Sequence, residues 1–333
     1  MALSAHLPFD ALHAALKAAG EGTRLRILAL LAEAELTVSD LTEILRQSQP
    51  RISRHLRLLT EAGLVERFRE GSWAFFRLAD HSGEGDLAHA LVARVTAGDP
   101  VIGRDRERLA AVRSARAAAA QAYFRAHAAE WDRIRRLHAA DEAVEAAIRS
   151  GLAERPFRSL LDLGTGTGRM LELFGPEIER GLGIDLSLDM LTIARARLER
   201  AGLRHCSVRQ GDIYDLSLPR DSFDVVIVHQ VLHFLDDGAR AVREAARVLR
   251  PQGRLLVIDF APHDLEFLRE EHAHLRLGFS AETVEQWIGA AGLETVLHRV
   301  VPPEPGTDGK IAVSLWLARD PRIAFADTAR EVA

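Results

Sequence analysis

The chain has 333 residues, 47% of them hydrophobic, so it can bury a sizeable core and has room for about two domains. The formal net charge of −5 excludes a uniformly basic nucleic-acid-binding protein, and the single cysteine, Cys206, excludes an intrachain disulfide and a thiol-rich metal site. The chain opens on no signal-peptide pattern and contains no apolar run near the ~20 residues of a membrane span, so we expect a cytoplasmic protein with no membrane partner.

The N-terminal quarter predicts a run of helices. Apolar residues recur at helical spacing over residues 9–33, and Gly20 and Gly22 divide this segment into two helices. A short helix over residues 37–45 follows. The next helix is expected over Ser48–Ala62, because a serine is a favourable capping residue and a proline in the first turn costs no hydrogen bond.

Two strands follow these helices. Residues 64–69 and 73–78 are rich in strand-forming side chains and flank a turn at residues 70–72. Helices followed by a hairpin are the element order of a winged helix-turn-helix. Further along, the glycines of residues 79–105 indicate a hinge region around one helix, expected over residues 86–95. An alanine- and arginine-rich helical segment is expected over residues 106–149.

Charge in this region is uneven, although the whole chain is acidic. Between Arg46 and Arg77 there are seven arginines against three glutamates. Side chains that face outward at the start of the helix Ser48–Ala62 can reach base edges. Arginines of the hairpin, including Arg77, can contact phosphate. The candidate DNA-binding residues are Ser48, Gln49, Arg51, Ser53, Arg54, Arg57, Arg67 and Arg69. The alternative is a solvated basic helix in a protein-interaction domain.

The segment SQPRISRHLRLLTEAGLV (residues 48–65) resembles the recognition helix of ArsR-type winged-helix repressors. The resemblance implies binding to a double-stranded DNA operator, repression rather than activation, and a homodimer that pairs through the N-terminal helix and residues 86–95. The chain departs from this family at two points. Residues 36–41 lack the cysteine-bearing metal box, and Arg46-Gln47 stands in the turn where a glycine is common.

From residue 159 the sequence alternates strand and helix patterns, which predicts an α/β doubly wound, Rossmann-like sheet of seven strands. The strands are expected over residues 159–163, 181–185, 204–209, 223–228, 253–259, 294–302 and 311–319. Helices are expected to begin near Gly168, Asp189, Gly238 and Ala281, with another at His233. A short Pro/Gly loop joins the last two strands, so they should form an antiparallel hairpin.

Three glycines at alternate positions follow the first of these strands, in LDLGTGTG (residues 161–168). A strand, a glycine-rich turn and a helix bring backbone N–H groups close to a nucleotide-type ligand. The spacing is G-x-G-x-G, whereas dinucleotide enzymes favour G-x-G-x-x-G. Asp185 ends the second strand about 20 residues further on, where a carboxylate can hold both ribose hydroxyls.

Other candidate contacts follow the later strands. Met190 can pack on an adenine ring, and Asp212, in Gly211-Asp212-Ile213, can accept a hydrogen bond from the adenine amino group. Asp224 opens the fourth strand, and we assign it to positioning the strand end. These features together favour S-adenosylmethionine (SAM) as the nucleotide-type ligand.

Residues 156–320 resemble class I SAM-dependent methyltransferases, notably the ubiquinone/menaquinone C-methyltransferase-like branch. The matching segments are LDLGTGTG (161–168), GIDLS (183–187), GDIYDLSLPRDSFDVVIVHQVLHFLDD (211–237) and VLRPQGRLLVIDF (248–260). The resemblance implies SAM as cofactor, with S-adenosylhomocysteine as product or ligand. The cofactor-binding residues expected from these motifs are Tyr123, Trp131, Asp162, Gly164, Thr165, Gly166, Gly168, Asp185, Leu186, Met190, Gly211, Asp212, Ile213 and His229. Tyr123 and Trp131, near Asp132, resemble the helical cover of such enzymes, and helix-to-sheet packing is their alternative role.

Methyl transfer needs alignment of acceptor, methyl and sulfur, and a base only if the acceptor is protonated. His229 and His233, near the tip of the fourth strand, are the candidate catalytic bases, and packing or capping is the alternative for each. Histidines also occur in the segment before residue 280, which we expect to form a substrate lid or simply surface. Neither the lid histidines, His263, His272 and His274, nor the set Asp80, His81 and His89 has a metal-binding spacing, so we predict no metal.

Two functions remain open at this point. The first is a DNA-binding transcriptional regulator fused to a SAM-dependent methyltransferase that methylates a small-molecule acceptor. The second is a non-catalytic transcription factor that senses SAM or S-adenosylhomocysteine through the methyltransferase fold. The predicted domains are residues 1–100 for DNA binding and dimerisation, 101–150 for a helical linker and cover, 151–320 for the methyltransferase and 321–333 for a tail.

Overall fold

The computed structural model describes residues 6–70, 72–79, 82–96, 98–131, 141–303 and 311–323. The chain divides into two compact units, Met1–Ala118 and Ala119–Ala333, each described by itself below. This division falls within the segment predicted as a helical linker. Some predictions concern positions outside the described residues: Gly71 of the hairpin turn, Asp80, His81, Asp132, the loop 304–310 and the tail residues 324–333.

The first unit combines helices with a small antiparallel sheet, which confirms the winged helix-turn-helix. Its helices are α1 (Phe9–Ala19), α2 (Gly22–Leu31), α3 (Val38–Leu45), α4 (Gln49–Glu61), α5 (Gly83–Val92) and the first part of α6 (Pro100–His127). Its strands are β1 (Leu36–Thr37), β2 (Val65–Glu70) and β3 (Trp73–Leu78), in the order β1-β3-β2. Strand β1 was not predicted, because two residues are too short to show an alternating pattern.

Helix α5 begins earlier than predicted, so the expected range 86–95 is wrong by three residues at each end. Ser82 caps this helix, since its hydroxyl accepts a hydrogen bond from the Gly85 N–H at 2.9 Å. A Cβ at Gly85 would lie 2.1 Å from the carbonyl oxygen of Ala79. Gly85 is therefore explained by close packing against the end of the hairpin, and the hinge itself stays a prediction.

Ser48 occupies the capping position of α4 as expected, but its side chain makes no capping hydrogen bond. Its backbone carbonyl accepts from Arg51 N and Ile52 N at 3.0 and 3.1 Å. Apolar residues at helical spacing, Ile52, Leu56 and Leu59, are fully buried and hold α4 against the unit's core. The hydroxyl of Ser48 therefore stays on the exposed side of the helix start.

The turn between α3 and α4 contains a left-handed residue. Arg46 has φ 53° and ψ 46°, a conformation that costs a side-chain-bearing residue free energy and that glycine adopts readily. The N–H groups of Arg46 and Gln47 both point to the carbonyl of Thr42, and the Gln47 distance is 3.3 Å. Arg46 thus adopts, at the position where a glycine is common, a conformation that glycine favours.

The second unit is a seven-stranded sheet with helices, which confirms the doubly wound α/β prediction. Its further helices are α7 (Asp141–Leu152), α8 (Arg169–Phe174), α9 (Leu188–Arg200), α10 (Gly238–Val248), α11 (Phe267–His272) and α12 (Ala281–Ala290). Its strands are β4 (Ser159–Leu163), β5 (Arg180–Asp185), β6 (Cys206–Gln210), β7 (Phe223–His229), β8 (Leu249–Phe260), β9 (Glu294–Val301) and β10 (Val313–Arg319). The segment at His233 forms a single 3-10 turn, Leu232–Phe234, rather than a full helix.

The strand order is β6-β5-β4-β7-β8-β10-β9. Strands β4 to β8 pair in parallel, and β10 is antiparallel to both β8 and β9, so the predicted antiparallel pairing of the last two strands is confirmed. Strand β8 begins at Leu249, four residues before its predicted start. The central strands are buried on both faces. Because they are parallel, the loops at their carboxyl ends lie side by side.

Asp224 holds the opposite, amino edge of the sheet, in agreement with its predicted positioning role. One carboxylate oxygen accepts from the N–H groups of Arg158 and Ser159 and from the Ser159 hydroxyl, all at 2.9–3.0 Å. The other accepts from Arg250 at 2.8 Å. Burial alone would raise the pKa of Asp224, but these hydrogen bonds outweigh it and hold the pKa below its usual range.

The left-handed turn residue gives the first testable prediction. Replacing Arg46 with glycine should raise the free energy of unfolding by about 0.5–1 kcal/mol, because the strain of the left-handed conformation is removed. Urea denaturation measures this difference. The control Arg57→Gly, within α4, should lower the free energy of unfolding by about 1 kcal/mol, since glycine is unfavourable inside a helix. Destabilisation by both variants would contradict the assigned strain.

Candidate functional site

The glycine loop after β4 is anchored on the end of the neighbouring strand β5. The N–H groups of Gly164 and Thr165 donate to the carbonyl of Ile184 at 2.8 and 3.0 Å. The N–H of Gly166 donates to a carboxylate oxygen of Asp185 at 2.9 Å. The loop and the predicted ribose-binding carboxylate are therefore fixed to each other before any ligand is considered.

Three glycines of the loop adopt the left-handed backbone region, with φ of 68° at Gly164, 51° at Gly166 and 82° at Gly168. A Cβ at Gly164 would lie 2.4 Å from a methyl carbon of Val231, and a Cβ at Gly168 would lie 3.1 Å from Ala194. Conformation and space thus both require glycine at Gly164. The expectation that the loop keeps its backbone open to a ligand fits this geometry.

Asp162 and Thr165 brace the loop from inside. The Thr165 hydroxyl donates to Asp162 at 2.6 Å, and both side chains are buried. A Cβ at Gly183 would lie 2.6 Å from the same hydroxyl, so β5 needs a glycine beside the loop. The role of Asp162 as a cofactor contact remains a prediction.

Asp185 accepts two backbone hydrogen bonds where β5 ends. Besides Gly166, the N–H of Ser187 donates to it at 2.8 Å. Burial raises the pKa of Asp185, and the backbone donors, led by Ser187, oppose this shift. A carboxylate with this orientation can accept further hydrogen bonds from ligand hydroxyls.

The remaining predicted adenosine contacts lie around the same sheet edge. Met190 is buried under the first turn of α9, Ile213 is buried and Leu186 is exposed. Asp212 is exposed and accepts the Tyr214 N–H at 2.8 Å. The Gly211 N–H donates to the carbonyl of Asp185 at 3.1 Å, which joins the third strand end to the second.

Trp131 lies directly over the glycine loop. A Cβ at Gly166 would be 3.6 Å from its indole nitrogen. Its ring packs edge-to-face on Phe124, with centroids 5.2 Å apart, and Phe124 packs in the same way on Phe234 at 4.7 Å. An aromatic layer therefore extends from the loop to the 3-10 turn after β7.

Tyr123 is turned toward the predicted lid. Its hydroxyl and Nδ1 of His272 on α11 are 2.6 Å apart, and its ring packs on His127 at 4.3 Å. Burial raises the pKa of Tyr123 to about 12, so it is a neutral phenol at physiological pH. Tyr123 as a cofactor contact stays a prediction, whereas its bond to His272 links α6 with α11.

His233 forms a buried pair with an acid that the sequence did not single out. Its Nδ1 lies 2.7 Å from Asp259 at the end of β8, and both residues are at most 2% exposed. Asp259 also accepts the Phe260 N–H at 2.8 Å. Because an ionised carboxylate is an acceptor only, Nδ1 of His233 is the donor in this hydrogen bond.

The lid segment packs closely on this pair. The carbonyl of His233 accepts from Leu275 N and Arg276 N at 2.9 and 3.1 Å. The ring of His274 lies 4.2 Å from that of His233. Burial lowers the pKa of His263 to about 4, so this histidine is neutral at pH 7. The structure thus brings His233 together with lid histidines.

His229, the other candidate base, ends β7 one residue after Val228, which pairs with Leu163 of β4. It is therefore level with the start of the glycine loop, as the predicted cofactor contact requires. Within the described ranges, no group of three or more His, Cys, Asp or Glu side chains could hold a metal ion. None of the helices in these ranges is long and apolar enough to span a membrane.

The predicted DNA-reading side chains form an exposed face on the first unit. All of them are solvent-exposed on α4, at its start or on β2: Ser48, Gln49, Arg51, Ser53, Arg54, Arg57, Arg67 and Arg69. Arg57 also pairs with Glu61 at 3.6 Å on α4. Arg77 of the wing is only partly exposed and forms ion pairs with Glu66 at 3.0 Å and Glu35 at 3.8 Å. The unneutralised wing charge is therefore carried by Arg67 and Arg69.

Comparisons with known proteins match each unit separately. Residues 21–67 match the family model described as bacterial regulatory protein, arsR family, and residues 161–257 match a methyltransferase domain. A winged helix-turn-helix and a methyltransferase sheet are thus joined in one chain. The chain thus contains an ArsR-type DNA-binding segment, residues 21–67, and a methyltransferase domain, residues 161–257.

Relatives resemble the second unit. An uncharacterized methyltransferase, YcgJ of Bacillus subtilis, is 35% identical over 106 residues, which are 32% of this chain and 42% of that protein. The ubiquinone/menaquinone biosynthesis C-methyltransferase UbiE of Vibrio vulnificus is 35% identical over 111 residues, 32% of this chain and 43% of UbiE. The crystal structure of YcgJ has a TM-score of 0.42 and 22% identity, over 51% of this chain and 94% of that one. The chain spans less than half the length of these curated relatives.

Removal of the Asp185 carboxylate tests the cofactor assignment. Asp185→Asn should weaken SAM binding at least ~10-fold, since a charged acceptor for ligand hydroxyls is lost. Isothermal titration of the full chain with SAM measures the affinity, and circular dichroism checks the fold. The control Glu199→Gln, an exposed carboxylate of α9, should bind SAM normally. Equal affinity in both variants would contradict the role of Asp185.

Two arginines test the DNA face. In fluorescence anisotropy with a duplex selected from a random pool, Arg54→Ala should cost about 1–3 kcal/mol and relax specificity if Arg54 reads a base. Arg67→Ala should instead weaken all duplexes evenly and reduce the salt slope by about 1, as expected for a phosphate contact. Unchanged affinity in both variants would contradict this interface.

Proposed function

We propose that the protein is a DNA-binding transcriptional regulator whose second unit transfers a methyl group from SAM to a small-molecule acceptor. The observation that carries this proposal is the His233–Asp259 pair, buried at 2% and 0% exposure beside the carboxyl edge of the sheet. A histidine oriented by a carboxylate is an arrangement suited to general-base chemistry. The glycine loop, Asp185 and Trp131 supply the adjoining cofactor pocket.

The residues would divide the work as follows. SAM, when bound, supplies a methyl group that is already activated by a positive sulfur. The N–H groups of the glycine loop and the carboxylate of Asp185 would hold the cofactor, and Trp131 would exclude water from above. Nε2 of His233 would take the proton of the acceptor, while Asp259 keeps Nδ1 protonated and stabilises the resulting imidazolium. The acceptor class is a phenol, amine, thiol or carbon acid that bears such a proton.

The DNA-binding state is proposed to be a homodimer. Apolar side chains of α1 at spacings of three and four residues are exposed: Phe9 at 80%, Leu12 at 37% and Leu16 at 45%. Such a stripe on an N-terminal helix is suited to pairing with a second copy. Two recognition helices would then meet half-sites about 34 Å apart.

Light scattering on the purified full chain tests this dimer. The wild type should have twice the monomer mass, and Leu16→Glu should shift it toward the monomer because a charge enters the apolar stripe. The control Lys17→Glu changes an adjacent exposed position of α1. A monomeric wild type, or equal dimerisation of both variants, would contradict pairing through α1.

A sensor function is the second candidate, and the burial of His233 favours it. The His233 side chain is only 3% exposed, and the N–H of Leu275 is bonded to its carbonyl, so an acceptor would have to displace this segment to reach Nε2. A pure sensor would need SAM and S-adenosylhomocysteine to bind the DNA-competent state with different affinities. Operator titrations with each ligand separate this function from catalysis.

Catalysis is tested by the release of S-adenosylhomocysteine from SAM with a panel of phenols, amines and thiols. His233→Ala should lower kcat about 10²–10⁴-fold with unchanged SAM affinity, and Asp259→Asn should lower kcat and alter its pH profile. His205→Ala, at an unrelated histidine bonded to the Gly175 carbonyl, is the control. If no acceptor led to release of S-adenosylhomocysteine and SAM changed the affinity for DNA, the catalytic function would be contradicted and the sensor function supported.

A further inference from the structure

A cavity of about 560 Å³ lies along α10 in the second unit, apart from the predicted cofactor residues. Its lining includes Tyr214 and Arg220 and the turn from Ala290 to Leu293 that leads into β9. Asp320 and Arg322 line it as well. This volume is within the range of pockets that bind small molecules.

The lining of this cavity is strongly basic. Its charged side chains are the arginines 220, 240, 243, 247 and 322, against Glu244 and Asp320, so three positive charges are in excess. Exposed arginines on a convex surface are solvated individually, whereas here they converge on one concavity. Convergent guanidinium groups are a recognised means of binding phosphoryl oxygens.

Two of the arginines are already neutralised. Arg247 donates to Glu244 at 2.7 and 2.8 Å, and these hydrogen bonds, against the effect of burial, lower the pKa of Glu244. Arg322 donates to Asp320 at 2.6 Å and to Asp221 at 2.7 Å. Both acids of the lining are therefore occupied and leave the other arginines without a counter-charge.

The three other arginines carry the excess charge. Arg240 is held by the carbonyl of Tyr214 at 3.2 Å and lies over its ring at 5.1 Å, which fixes its direction. Arg220 and Arg243 are exposed, and their guanidinium groups form no hydrogen bond or ion pair with any residue that the structure describes. Their guanidinium groups are available to a ligand with at least two negative charges.

We propose that this cavity binds the phosphoryl groups of a small phosphorylated molecule, at a second ligand site of the methyltransferase unit. A monocarboxylate would leave most of the excess charge unneutralised, whereas a phosphate ester or a pyrophosphate group matches it. Small apolar groups at Ala246 and Ala290 leave room for an organic moiety beside the phosphate. The site is independent of the proposed methyl transfer.

Calorimetric titration of the full chain with sodium pyrophosphate in low-chloride buffer tests this site. Pyrophosphate should bind to the wild type, and the double variant Arg220→Ala/Arg243→Ala should bind it at least ~10-fold more weakly, because charge-assisted hydrogen bonds are lost. The matched control Arg195→Ala/Arg299→Ala removes two exposed arginines of the same unit and should retain wild-type affinity. SAM affinity should be equal in all three proteins.

Further arms identify the source of the phosphoryl group. Tighter binding of adenosine 5′-diphosphate than of pyrophosphate would assign the ligand to a nucleotide, and equal binding to the phosphoryl groups alone. If both double variants lost the same pyrophosphate affinity, or if sulfate bound as tightly as pyrophosphate, the binding would be that of a nonspecific anion and the proposal would be overturned. The proposal would also be overturned, in favour of a DNA contact, if the Arg220→Ala/Arg243→Ala variant bound duplex DNA more weakly while pyrophosphate did not compete with the duplex for the wild type.

Discussion

The hydrogen bonds that tie the glycine loop to the end of β5 determine the geometry of the whole predicted cofactor site. The carbonyl of Ile184 receives two N–H groups of the loop, and the carboxylate of Asp185 receives a third. Strand β4 lies between β5 and β7, so a loop fixed to β5 also sets the distance to the turn after β7. The contact of Gly164 with Val231 makes this dependence direct. Preorganisation of this kind removes part of the ordering cost of ligand binding.

The sequence predicted the sheet and the loop well, because strands buried on both faces form apolar runs that end in glycine or aspartate. The Asp259 pair could not be predicted in the same way. Asp259 lies within the matching segment VLRPQGRLLVIDF, and its only local signal is an acid inside an apolar run. Its partner, His233, is 26 residues earlier, and only the parallel pairing of β7 with β8 brings the two together.

The first unit shows the same division between local and distant information. The face of α4 follows from helical periodicity, and the structure buries Ile52, Leu56 and Leu59 as expected. The ion pairs of Arg77 with Glu66 and Glu35 depend on strand register and on a glutamate 42 residues away, so charge counting overestimated the basic wing. The structural role of the glycine-rich segment around Gly85 was similarly ambiguous, because a sequence cannot distinguish a glycine in a hinge from a glycine at a tight contact.

The backbone hydrogen bonds from Leu275 and Arg276 to the carbonyl of His233 have a kinetic consequence. A group buried under two such bonds and an aromatic neighbour is reached only through a local opening of the segment. For a reaction at His233, the frequency of that opening sets an upper limit on turnover, whatever the intrinsic reactivity of the acceptor. The same covering segment would delay the entry of water and the early escape of product during such a reaction. Slow hydrogen exchange of the Leu275 and Arg276 amides would then accompany the protection of the reacting groups from water.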